Sequence, residues 1–84
     1  VKRKGLKMKN KDLFISDFEE NDMDCGAVTH MVIFVRLPNG VLEMIINTSD
    51  IYNKFKYYCN AYDDNLCLKN NPDVKIEKWC FASQ

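Results

Sequence analysis

Residues able to do chemistry are few in this chain, and they lie far apart. One histidine, His30, and four cysteines, Cys25, Cys59, Cys67 and Cys80, are the whole stock of soft nucleophiles and soft metal ligands. Thiolate catalysis needs a base within hydrogen-bond reach and a third group that orients the base. Cys25 or Cys80 beside His30 is the pair to consider, but no local signature accompanies either. Structural zinc sites draw two thiolates from one short loop, as in C-x-x-C. The closest cysteines here, Cys59 and Cys67, stand eight positions apart, so no metal site is expected. Asp17, Glu19, Glu20, Asp22 and Asp24, and the cluster Asp63-Asp64-Asn65, lack the alternating ligands, central glycine and terminal glutamate of a calcium loop. The three glycines, Gly5, Gly26 and Gly40, are too scattered to cradle a phosphate. The expectation is a protein that is not an enzyme and carries no cofactor.

Charge points to binding instead. Lys plus Arg and Asp plus Glu balance at 12 each over 84 residues, but the distribution is uneven. Lys2, Arg3, Lys4, Lys7, Lys9 and Lys11 crowd residues 1–11 without an acid, and the acids of residues 17–24 follow without a base. A basic arm of this kind is read as flexible and solvated, or as a contact for nucleic acid. In the nucleic-acid reading Phe34, Tyr52, Tyr57 and Trp79, beside Lys54, Lys56 and Lys78, would serve as stacking platforms. Zero net charge and the lack of an aromatic-basic signature rank that reading second.

No secretory signal or membrane span is recognisable, because the longest apolar run is residues 31–35. The expected place is the cytoplasm, and the expected state of the cysteines is reduced, although four also allow two disulfides in three connectivities.

The elements that must position these residues are legible from pattern. Residues 1–11 read as the arm and 12–84 as a single domain. In residues 12–18 (DLFISDF), Phe14 and Phe18 share a helical i, i+4 spacing. Two apolar runs then flank Pro38-Asn39-Gly40, a hairpin signal in which Pro presets φ and Asn and Gly tolerate positive φ. Alternation pairs Leu37 with Leu42, Val35 with Met44 and Ile33 with Ile46 on one apolar face. The opposite face then presents His30, Val32, Phe34 and Arg36 beside Glu43 and Ile45, with Arg36 facing Glu43 and Phe34 facing Ile45. A type I turn with Pro38 at its first corner would shift this register; the alternation is preferred.

Thr48-Ser49-Asp50 reads as a helix start, and residues 50–62 as a helix with Ile51, Phe55, Tyr58, Cys59 and Tyr62 on one stripe. Residues 70–73 read as a turn. Residues 74–81 read as a third strand whose phase changes near Glu77-Lys78, the mark of a bulge. The predicted class is α+β: a small antiparallel sheet, hairpin plus C-terminal strand, packed on one helix in the order (α)-β-β-α-β. Its second hairpin face, His30, Val32, Phe34, Arg36, Glu43 and Ile45, mixes apolar centre and polar rim as a protein-binding patch does.

The stretches MVIFVRLPNGVLEMIINTSDI and KYYCNAYDDNLCLKNNPDVKIEKWCFA carry a resemblance. Across about two thirds of the chain it resembles small accessory proteins of tailed bacteriophages, T4-like ones among them. The resemblance implies a host-directed protein that acts in the bacterial cytoplasm by binding a host protein, to inhibit or redirect it. It assigns no functional residues, and residues 1–7 depart from it. Partners expected overall are therefore a host protein first and nucleic acid second, with an edge-strand homodimer left open.

Overall fold

A computed structural model describes residues 9–22 and 26–83. The chain runs α1 (Asn10–Asn21), β1 (His30–Arg36), β2 (Leu42–Asn47), α2 (Ile51–Ala61), β3 (Cys67–Leu68) and β4 (Asn71–Ala82). Four antiparallel strands form one sheet in the order β2-β1-β4-β3. The fold is α+β, in the element order the sequence predicts, with a two-residue strand added where residues 66–68 read only as short and apolar.

Both helices cover the same face of the sheet, and aromatic side chains explain why. Met31, Ile33 and Val35 of β1 and Ile76 and Phe81 of β4 are buried beneath Phe14 and Phe18 of α1 and Phe55 and Tyr58 of α2. Phe18 stacks on Phe55 with ring centres 3.9 Å apart, and Phe14 meets Phe55, Trp79 and Phe81 at 5.2, 5.3 and 5.6 Å. Such pairs each add about 0.5–1.5 kcal/mol beyond simple burial. The i, i+4 spacing of Phe14 and Phe18 is thus the docking edge of α1. Asp17 fixes its rotation by accepting a 2.8 Å hydrogen bond from Trp79 Nε1.

The hairpin differs from the expected register by one residue. Gly40 N–H donates to Leu37 O at 2.9 Å and Leu37 N–H donates to Val41 O at 2.8 Å. Gly40 has φ +87 and Asn39 is not among the positive-φ residues. This is a type I turn with Pro38 at its first corner, closed by a glycine bulge, and it makes a three-residue loop. Its geometry sets Phe34 opposite Met44, Val32 opposite Ile46 and Val35 opposite Glu43. Leu37 therefore does not face Leu42, and Arg36 does not face Glu43. The turn outweighs the alternation because Glu43, at the open edge of the covered face, remains exposed.

The bulge expected near Glu77-Lys78 is present. Phe34 pairs with Lys78 and Val35 with Ile76, leaving Glu77 as the extra residue. It brings Ile76, Trp79 and Phe81 onto the covered face together. Two other details differ from expectation. The turn into β4 is Lys69-Asn70, and Asn71 already pairs with Leu68. Asp50 stands at the N-cap of α2 with φ +51, but its carboxylate accepts from the Asn53 side chain at 2.8 Å and makes no cap bond to the backbone.

Phe14→Ala is expected to lower the unfolding free energy by about 3–5 kcal/mol, since Phe14 is fully buried at the joint of both helices. Leu13→Ala, one position away and exposed, should change it by less than about 0.5 kcal/mol. Urea denaturation of both variants checks the contrast; equal effects would refute the packing described for α1.

Candidate functional site

The face of the sheet away from the helices is uncovered among the described residues. Three cross-strand rows cross it: Ile46, Val32 and Cys80; Met44, Phe34 and Lys78; Leu42, Arg36 and Lys75. Met44 and Ile46 are 55% and 56% exposed, and Val32 and Phe34 between them are half-buried. The centre is apolar.

Its rim is ordered by Arg36. Nε and Nη2 of Arg36 donate to the two carboxylate oxygens of Glu77 at 3.0 and 2.9 Å, and Nη1 donates to Gly40 O at 2.9 Å. The guanidinium therefore ties the hairpin turn to the β4 bulge. The hydrogen bonds from Arg36 hold the Glu77 carboxyl below its ordinary range and raise the guanidinium in turn. Lys78 Nζ lies 5.3 Å from the centre of the Phe34 ring, a cation–π contact. With Lys75 beside Arg36, the rim carries more positive than negative charge.

Of the six residues expected on this face, the structure brings together His30, Val32, Phe34 and Arg36. Glu43 and Ile45 belong to the covered face, because they pair with Val35 and Ile33. Their places are taken by Met44 and Ile46, which alternation alone places on the other, apolar face. Pro38 and Gly40 carried the signal that would have found them.

The remaining expectations sort by position. Lys2, Arg3, Lys4, Lys7 and Cys25 lie outside the described residues. Lys9 precedes α1 and Lys11 lies within it, so the folded part begins before residue 12. Lys11 donates from Nζ to Tyr62 O at 2.9 Å and from its backbone N–H to Asp64 O at 3.0 Å. Lys9, Lys11 and Lys69 line a cleft of about 400 Å³ together with Asp63, Asp64 and Asn65. The stacking platforms are not brought together: Tyr52 lies with Lys56 on the exposed side of α2, while Trp79 points into the core and Phe34 lies on the open face.

His30 and Cys80 share the open face one diagonal apart, since their Cα partners are Ala82 and Val32. Imidazole Nδ1 bonds with Thr29 Oγ1 at 2.8 Å, and no hydrogen bond joins His30 to Cys80 among the described residues. Burial, outweighing nearby Lys11, pushes the Cys59 thiol up and away from thiolate character. Cys59, Cys67 and Cys80 are free thiols, and no group of three metal-binding side chains occurs among the described residues. No helix there is long and apolar enough to cross a membrane.

Comparison with known proteins returns no matching family model, no matching curated protein and no matching solved structure.

Behind the sheet, Asp63 organises the loop that leads into β3. Its carboxylate accepts the backbone N–H groups of Cys67 and Asn65, each at 2.9 Å, and these bonds, led by Cys67, hold it below the usual carboxylate range. The loop holds Leu66 at φ +64, a conformation costing roughly 1–2 kcal/mol. Full burial of that leucine returns about 1.5–3 kcal/mol, so packing wins.

Asp63 and Glu77 both have folded-state values below their unfolded ones, near 3.9 and 4.3. The unfolded chain thus binds more protons through that window, so their contribution is complete only above about pH 5 and is lost as pH falls through the folded values. Melting temperature should decline as pH falls from about 5 toward 3, with a shallower decline for the Asp63→Asn, Glu77→Gln double variant. An equal acid slope in the two proteins would remove these carboxylates from the account.

Proposed function

We propose that this chain is a small non-enzymatic binding protein whose open sheet face docks on a protein partner. The observation that carries the reading is the pair Met44 and Ile46, exposed by the turn register beside Val32 and Phe34. An apolar centre with Arg36, Glu77, Lys75 and Lys78 at its rim matches the anatomy of a protein interface. The complementary surface is apolar at its centre with carboxylates around it. On the sequence resemblance, the partner is a host protein in the bacterial cytoplasm, inhibited or redirected by a phage accessory protein in host takeover or anti-defence.

A second reading rests on the cleft of Lys9, Lys11 and Lys69. Two of these lysines, Lys9 and Lys11, continue the basic run of Lys2, Arg3, Lys4 and Lys7 in sequence, a composition suited to contact with phosphates. Asp63 and Asp64 in the same cleft weaken it.

Affinity capture from bacterial lysate separates the two. The protein reading predicts a defined partner that is retained at high salt and lost with Phe34→Glu, a variant that keeps its far-ultraviolet circular dichroism. Recovery of nucleic acid alone, with steep salt dependence and loss on removing residues 1–11, would overturn it.

A further inference from the structure

The outer edge of β2 carries an inference that does not depend on what the open face binds. In an antiparallel ladder, successive residues direct their N–H and C=O groups alternately toward one neighbour and then the other. The bond from Leu37 N–H to Val41 O fixes the phase of the β1–β2 pair. Glu43, Ile45 and Asn47 thus turn their backbone groups toward β1, while Leu42, Met44 and Ile46 turn theirs outward. No strand pairs with that side of β2 among the described residues.

Edges of this kind are ordinarily guarded by shortness, lysine, proline, a bulge or inward-pointing charge. The other side of the sheet has such guards. β3 is two residues long with a broken register, and β4 beyond it carries the Glu77 bulge and Lys78. β2 reads LEMIIN, with an unbroken register, no proline and no lysine. Glu43 is its single charge.

We propose that β2 is a dimerisation strand, pairing antiparallel with β2 of a second copy to make one continuous sheet. The sequence of β2 selects the register. A two-fold axis through Met44 sets Met44 opposite Met44 of the second copy, Leu42 opposite Ile46 and Glu43 opposite Ile45. Leu42, Met44 and Ile46 of both copies then satisfy their outward backbone groups while their side chains merge into one apolar row. An axis through Glu43 would oppose two carboxylates. One through Ile45 would take Leu42 beyond the partner strand.

Light scattering on the full chain, from about 1 μM to about 1 mM, tests the pairing. The expected mass is twice 9.8 kDa at the upper end, with reversible dissociation on dilution. Met44→Pro removes an outward N–H and no bond to β1, and Met44→Lys opposes two ammonium groups across the axis. Each should give a monomer throughout with unchanged circular dichroism; if the proline variant does not fold, the lysine variant decides. In M44C, facing Cα atoms about 5.5 Å apart lie within disulfide reach, so mild oxidation should yield a dimer bridged through position 44 of both copies. A native chain monomeric throughout, a dimer weakened less than about threefold by Met44→Lys, or a native dimer that M44C does not cross-link would each overturn the proposal.

Discussion

The register of the first hairpin is the constraint from which both faces of this protein follow. Proline at the first corner, and a glycine that accepts φ +87, leave a loop of three residues rather than two or four. A side-chain period of two means that this choice transfers every residue of β2 from one face to the other. Ile45 and Asn47 are turned inward, and Met44 and Ile46 outward. Asn47 then becomes the buried polar residue of the core, and its amide donates to Met31 O at 3.1 Å. That bond removes the penalty an unpaired buried amide would carry, roughly 1–3 kcal/mol.

Around that hairpin the remaining elements are placed by aromatic packing and a few directed hydrogen bonds. Phe14 and Phe18 meet Phe55, so α1 and α2 share one side of the sheet and leave the other uncovered. Trp79 reaches Asp17, and Lys11 reaches Tyr62 and Asp64, which anchors both ends of α1. Arg36 does the equivalent on the open side by joining the turn to the β4 bulge through Glu77. The two devices that shape the open face, turn and bulge, are therefore locked to one another.

The elements themselves were readable because each carried a local mark: Phe14 and Phe18 at i, i+4, the stripe from Ile51 to Tyr62, and the change of phase at Glu77 in β4. The sides of β2 are not legible from alternation, because it is nearly silent in LEMIIN, where either face offers apolar residues. The Pro38-Asn39-Gly40 turn held the deciding information, and backbone geometry prevailed over the one charge at stake. Arg36 found Glu77 in place of Glu43 because a strand distant in sequence, β4, lies on its other side. No local pattern reports a neighbour forty residues away. α1 also begins earlier than its apolar spacing indicates, since Lys11 has the composition of an arm but lies within the helix.

The functional account stands or falls with the side of the sheet that Met44 and Ile46 occupy. In the structure, Phe34–Met44 and Val32–Ile46 are the non-hydrogen-bonded pairs of the hairpin, with Cα atoms roughly 4.5 Å apart and Hα atoms in close contact. Nuclear Overhauser spectroscopy of the labelled protein reads those contacts directly. Cross-strand Hα–Hα signals are predicted between Phe34 and Met44 and between Val32 and Ile46. Signals between Val35 and Met44 and between Ile33 and Ile46 would contradict the account, for they would return both exposed residues to the core.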